Sequence, residues 1–234
     1  MNSQNIISYL NNLSDAIIAE HSQKYFKTGE GEYGHGDKFL GIRVPVLRKA
    51  VKLFEDTSIT EIEKLIKSEY HEIRLFSLLL LVKMFAKGDA RTKEKIVNLY
   101  LKNTKYINNW DLVDSSAPYI IGAWLFEKDR TVLYQLALSD LLWERRISII
   151  STAYFIKNNQ YKDTLKISSV LLSDSEDLIH KAVGWMLREV GNRDIRIEEK
   201  YLKKYYKKMP RVMLRYAIEK FSKQRRQAYL KGEI

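Results

Sequence analysis

YHEIRLFSLLLLVKMFAK, residues Tyr70 to Lys87, decides the fold class. Its apolar run from Leu75 to Val82 lies between Arg74 and Lys83 and is interrupted only by Ser77. A helix that crosses a bilayer needs about 20 apolar residues, and this run is far shorter, so the segment predicts a buried core helix. Outward from it, apolar residues recur at spacings of three and four through 4–26, 45–55, 59–68, 91–102, 110–126, 130–138, 142–157, 161–172, 175–190, 195–208 and 211–224. Together with 70–87 these make twelve helices and no sheet.

Punctuation supports that reading. Three prolines (Pro45, Pro118, Pro210) and ten glycines are all that interrupt 234 residues, and five of the glycines crowd into 29–41. Ser58-Ile59-Thr60-Glu61 reads as a capping box, and the acids of Asp174–Asp177 sit where the next helix dipole is positive. A helical hairpin about every 35 to 45 residues follows the rhythm of HEAT or armadillo units, without a repeated consensus. The expected fold is all-α, a HEAT-like α–α superhelix of antiparallel helix pairs, one domain over 1–234.

Composition narrows the function. The 45% hydrophobic content suffices for a core, and the absence of cysteine excludes disulfides, thiolate metal sites and a cysteine nucleophile. Forty basic against 29 acidic residues leave +11, which favours a polyanionic partner. The excess is lopsided: 1–117 hold 17 basic and 15 acidic residues, 118–234 hold 23 and 14. In the second half RDIRIEEKYLKKYYKK (Arg193–Lys208) is followed by Lys220, Lys223, Arg225 and Arg226, a stretch that would attract polyphosphate or serve as a solvated helix face. Met1 is followed by Asn2-Ser3-Gln4-Asn5 with no secretory pattern, so a cytoplasmic protein is expected.

Helical wheels at about 100° per residue separate core from display. In 175–190, Ile179, Val183, Met186, Leu187 and Val190 form one stripe, and Trp185 lies opposite with Lys181, Arg188 and Glu189. Trp185 either binds a partner or packs on a neighbouring repeat. In 142–157 Trp143 belongs to the core stripe with Ile147, Ile150 and Tyr154. Arg145 points away from it, and Arg146 sits about 60° from it, with a packed stem and a guanidinium that reaches out to a phosphate or to a neighbouring salt bridge. In 108–118, Trp110 and Asp114 share one helix face on the flank of Leu112, Val113 and Ala117, with Asp111 farther round. Pro118 cannot donate to the Asp114 carbonyl, so the helix should kink or restart there, which marks either a site or a capping pattern with a structural tryptophan.

Other motifs lose their force on inspection. Gly29-x-Gly31-x-x-Gly34 follows a helix, carries two acids and opens no helix, unlike a dinucleotide fingerprint. The four histidines lack ligand spacing, so neither metal nor another cofactor is expected. The loop 27–42 supplies backbone N–H groups, Lys27, Tyr33 and Lys38 to a partner, or only crosses the end of the solenoid.

FLGIRVPVLRK (Phe39–Lys49), NWDLVDSSAP (Asn109–Pro118), LWERR (Leu142–Arg146) and IHKAVGWMLREVG (Ile179–Gly191), in this order, resemble the AlkD-type DNA alkylation repair glycosylases, a HEAT-like family, over nearly the whole chain. The resemblance implies hydrolysis of the N-glycosidic bond of N3- and N7-alkylated purines in duplex DNA, with no metal or cofactor and without a tight base pocket. It places Asp114, Trp110 and Trp185 at the reacting sugar and Arg146 on the phosphate beside the lesion. Lys181, Arg188, Lys27, Lys38 and Arg43 are the further DNA-binding candidates, and the protein is expected to be a monomer that binds no membrane. Because the alkylated base is cationic and leaves neutral, the difficulty lies in the oxocarbenium-like sugar, and an anion beside it is what catalysis asks for. Asn109 stands where some relatives carry a second tryptophan, and relatives without excision leave open a non-catalytic module for damaged or branched DNA.

Overall fold

The structure, a computed structural model, describes residues 2–234. No strand occurs among them; helices alternate with short turns and one long loop, so the all-α class expected from the sequence is the class found. The chain forms two compact units, Met1–Ile120 and Ile121–Ile234. The first contains α1 (Ser3–Asn11), α2 (Ala16–Tyr25), α3 (Val44–Leu53), α4 (Ile59–Leu65), α5 (His71–Lys87), α6 (Ala90–Lys102) and α7 (Trp110–Asp114). The second contains α8 (Ala123–Leu125), α9 (Thr131–Ala137), α10 (Leu142–Ser151), α11 (Ala153–Lys157), α12 (Lys162–Val170), α13 (Asp177–Gly191), α14 (Ile195–Tyr205), α15 (Arg211–Ala217) and α16 (Lys223–Lys231).

Each unit is built round one helix. In the first, α5 is buried from His71 to Leu81 except at Leu79, and α3, α4, α6 and α7 pack on it. The apolar run Leu75–Val82 therefore does form a core helix. In the second, α13 turns Ile179, Val183, Met186, Leu187 and Val190 into the interior against α10, α14 and α15. A Cβ on Gly184 would meet the Met213 carbonyl oxygen at 2.4 Å and the Tyr216 Cβ at 2.5 Å, so only glycine lets α15 approach this closely.

Where the expected helices differ from the observed ones, a local cause is visible. The span 4–26 is two helices: Asp15 Oδ1 accepts from the N–H groups of Ile17 and Ile18, both at 3.0 Å, and the Asp15 N–H itself donates to the Leu40 carbonyl at 2.9 Å. The span 110–126 ends as a helix at Asp114 and resumes with a π-helical turn, Pro118–Gly122, as the missing proline N–H requires. The span 142–157 is interrupted at Thr152, where the hydroxyls of Ser151 and Thr152 donate to the carbonyls of Ile147 and Ile149 at 2.6 and 2.7 Å. Helix α16 was not expected, because KQRRQAYLK buries little beyond Tyr229. Its ends are nonetheless well made, with Ser222 capping the start and Gly232 left-handed (φ 81°) at the finish. Half of the capping box forms: Ser58 Oγ accepts from the Glu61 N–H at 3.3 Å, while the Glu61 carboxylate accepts from the Ser3 N–H at 2.6 Å instead of closing the box.

Candidate nucleic-acid site

Trp110 and Asp114 lie in the first unit, and Arg146 and Trp185 lie in the second. Helix α7 starts at Asn109, whose side-chain oxygen accepts from the Trp110 N–H at 2.8 Å, and it buries Leu112 and Val113 as the wheel predicts. Its two carboxylates line separate hollows. Asp114, half-buried, lines a cleft of about 660 Å³ with Arg48 and Lys52 of α3, Lys83 of α5, and Tyr119. Asp111 lines a separate cavity of about 520 Å³ with Phe26, Phe39, Arg43 and His71.

Arg48 and Lys52 are one helical turn apart, exposed, and without an ion pair among the described residues. Lys83 is held by Glu55. The charge of Asp114 reaches Tyr100, whose phenol is held well above its usual range by burial first and by that charge in smaller part, against a hydrogen bond with Ser116 at 2.9 Å. Arg48 and Lys52 were not singled out in the sequence, although their separation of four residues on a helix that buries Leu47 and Val51 was a usable signal.

Trp110 is half-buried, and one face of its ring is taken. It stacks on Phe26 with centroids 5.4 Å apart and meets the edge of Tyr25 at 6.1 Å. Its indole also hydrogen-bonds the Tyr33 phenol, which only partly offsets the rise that burial imposes on that group. Trp185 is half-buried on the face of α13 that also carries Lys181, Arg188 and Glu189, as the wheel placed it, and its indole N–H donates to Glu189 Oε1 at 3.2 Å. Trp143 is half-buried rather than a full core residue.

Most of the cations expected to meet DNA already have partners within the chain. Arg146 is 5% exposed and donates to the Leu178 carbonyl at 2.6 Å, so its guanidinium does not reach outward but joins α10 to the start of α13. A flank position 60° from the core stripe is enough for a long side chain to be covered by the helix packed beside it. Lys181 pairs with Asp177 at 2.6 Å, Arg188 with Glu219, and Lys38 with Glu69 at 2.6 Å. Lys27, in a left-handed conformation (φ 52°), and Arg43, at the start of α3, are exposed and unpaired among the described residues.

The glycine loop turns inward. The Glu72 carboxylate accepts from the N–H groups of Leu40, Gly41 and Ile42 at 2.9, 2.8 and 3.2 Å, so these donors are used within the fold and not offered to a partner. Gly41 (φ 81°) has no room for a side chain, since a Cβ would lie 2.0 Å from the Asp15 carbonyl oxygen. Asp37 from the same loop meets Arg74 at 2.5 Å and His71 Nδ1 at 3.2 Å, while His71 Nε2 meets Asp111 at 2.8 Å. Burial alone would raise Asp37; the hydrogen bond from His71 and the Arg74 charge hold it below the usual carboxylate range. Burial alone would lower His71; the charge and hydrogen bond of Asp111, with the bond to Asp37, raise it to about 9. No sequence motif pointed to this group. The available signal was three polar residues, His71, Glu72 and Arg74, in the first turn of the most apolar helix, where each needs a partner once buried. Among the described residues no cluster of histidine and carboxylates is placed to hold a metal ion, and no helix is long and apolar enough to cross a membrane.

Residues 6–221 match the family model described as DNA alkylation repair enzyme. The chain belongs to that family. DNA repair is therefore its general role and DNA its partner. The fold is similar to that of a solved structure, "Predicted DNA alkylation repair enzyme from Enterococcus faecalis", with a TM-score of 0.71 and 16% identity over 90% of this chain and 97% of that one. At that identity the likeness bears on the fold alone. Another solved structure, smu.31 from Streptococcus mutans UA159, aligns at TM-score 0.46 and 14% identity over 97% of this chain and 96% of that one. No curated protein matches the sequence.

Proposed function

We propose that this family member is a DNA glycosylase that releases cationic N3- or N7-alkylated purines from duplex DNA by hydrolysis of the N-glycosidic bond. The observation that carries the reading is the Asp114 cleft, which is also lined by two exposed, unpaired cations, Arg48 and Lys52. Such a lining suits a sugar–phosphate. Arg48 and Lys52 neutralise backbone phosphates and set the register, and the carboxylate stands where positive charge grows on C1′ as the base departs neutral. Asp114 also orients the attacking water. Trp110, propped by Phe26 and Tyr33, presents its free ring area to the deoxyribose. In the second unit Trp185 offers an indole to the duplex, on the helix whose start Arg146 fixes.

The test is release of methylated purines from alkylated duplex by the wild type and by Asp114→Asn. Removal of a transition-state charge partner predicts a rate about 100-fold lower or more, with duplex affinity retained. Equal release by both proteins would refute the role of Asp114. Tight binding of lesion-bearing duplex with no release by the wild type would make the protein a non-catalytic damage-binding module.

A further inference from the structure

Helix α7 is too short to stand alone. Isolated helices of under about 12 residues are marginal in water, so this five-residue helix takes its position from tertiary contacts. The glycine loop likewise has no regular structure of its own. Both are tied to one buried side chain. His71 reaches the loop through Nδ1 to Asp37 at 3.2 Å and reaches α7 through Nε2 to Asp111 at 2.8 Å. The His71 N–H also donates to the Lys38 carbonyl at 2.8 Å. Phe39 and Phe26 lie against the imidazole with centroids at 4.7 and 4.9 Å, and Phe26 continues the stack to Trp110.

We propose that His71 is a positioning residue whose ring, clamped between Asp37 and Asp111, locks the loop 27–42 and α7 in register and so aims Trp110 and Asp114. What is aimed rests on the excision reading above; the lock itself rests on the first unit alone. The geometry sets the proton count. Both ring nitrogens face carboxylate oxygens, and a neutral imidazole has one N–H, so only the imidazolium can donate to both. Charge agrees: Asp37 and Asp111 are balanced by Arg74 and His71 only when the ring is protonated. Arg74 belongs to α5, the helix of His71, and holds Asp37 from the other side. Tyr33 of the loop, His21 of α2, Arg43 at the start of α3 and Glu72 of α5 are the remaining titratable or charged groups round the ring and its cavity. Loss of the proton would set one carboxylate against a lone pair and release either the loop or α7.

The experiment is NMR on the full chain with labelled histidine and tryptophan, alongside the base-release assay. In the wild type the His71 ring should titrate near pH 9, and the Trp110 indole resonance, assigned with Trp110→Phe, should move with the same midpoint. At pH 7 His71→Gln should show the Trp110 resonance that the wild type reaches only at high pH. Asp111→Asn keeps the ring and its packing, which guards against a folding failure in His71→Gln, and in it the His71 midpoint should fall well below that of the wild type. Misplacement of this kind should lower kcat about 10- to 100-fold while affinity for undamaged duplex stays within about twofold. A wild-type His71 titrating between 6 and 7, a Trp110 resonance indifferent to that titration, or a wild-type kcat in both variants would overturn the proposal. If the wild type releases no base, the excision reading fails by itself, and the two NMR readouts still decide the lock.

Discussion

The two units differ in where they carry their charge. Met1–Ile120 is nearly balanced, with 17 basic and 15 acidic residues, and it draws charges inside: the side chains of Asp37, His71 and Arg74 are all at most 5% exposed and are paired to one another. Ile121–Ile234, with 23 and 14, keeps most of its excess on the surface, as at Lys203, Lys204, Lys207 and Lys208. Its deeply buried acid, Glu198, is 1% exposed, and Glu198 Oε1 has no hydrogen-bond partner. Net charge thus says how many charges a segment has and nothing about which of them hold the fold together.

Glu198 offers the largest effect with which to sharpen that contrast. Burial first, then the charge of Glu199, raise its carboxyl from 4.5 to about 8, against the pull of Arg188. Below pH 4.5 the folded and unfolded chains both hold this proton. Between 4.5 and 8 the unfolded chain has released it and the folded chain has not, so stability falls as pH rises and levels off above 8. Each tenfold difference in proton affinity is about 1.4 kcal/mol, which puts the whole window on the order of 5 kcal/mol. Chemical denaturation at pH 5 and pH 9 should show Glu198→Gln matching the wild type at the lower pH and exceeding it clearly at the higher. Parallel profiles for the two proteins would mean that the second unit ionises this acid without strain.

The matching change in the first unit is Arg74→Met. It leaves Asp37 buried with His71 as its remaining counter-charge and removes the donor to the Ser68 carbonyl at 2.9 Å. Breaking a buried pair from one side costs about 3 to 5 kcal/mol. A destabilisation below about 1 kcal/mol in urea denaturation would show that packing, and not charge, holds the interior of that unit. The pH dependence also differs in position. The raised His71 contributes stability that is complete below about 6.5 and lost as pH rises through about 9, a higher window than that of Glu198.

These interiors mark the limit of what the sequence made legible. Periodicity gave the helix class, the core stripe of α13 and the core run of α5, because burial of an apolar face is a local pattern. The break at Pro118 was equally local. The partners of His71 were not: Asp37 is 34 residues before it and Asp111 is 40 after, and a wheel drawn on one helix carries no information about a side chain arriving from a loop. Arg146 taught the same lesson in reverse. The wheel on α10 sent its guanidinium outward, but the Leu178 carbonyl that takes it comes from another helix. For the candidate site, the residue types on α7 and α13 and the Lys181–Asp177 pair, four residues apart, were readable, whereas the pairing of Lys38 and Arg188 and the freedom of Arg48 and Lys52 depended on neighbours distant in sequence.

The smallest expected effect per residue concerns which unit meets DNA. Every phosphate that a side chain ceases to neutralise lowers the slope of log affinity against log salt by about 0.9 on duplex DNA. Replacing Lys203, Lys204, Lys207 and Lys208 of the second unit by alanine should therefore reduce the slope by up to about 3.6, and Arg48→Ala with Lys52→Ala in the first unit by about 1.8. Exposed lysines are replaceable without harm to packing, so the folded state should be unchanged in both. If the four lysines leave the slope untouched, the basic excess of the second unit only solubilises it. If Arg48 and Lys52 do so, the phosphates do not run along the Asp114 cleft, and the carboxylate there is without the neighbours that would bring a sugar to it. A reduction in both proteins, with the larger in the second unit, is the outcome that assigns long-range attraction to one unit and registration of the lesion to the other.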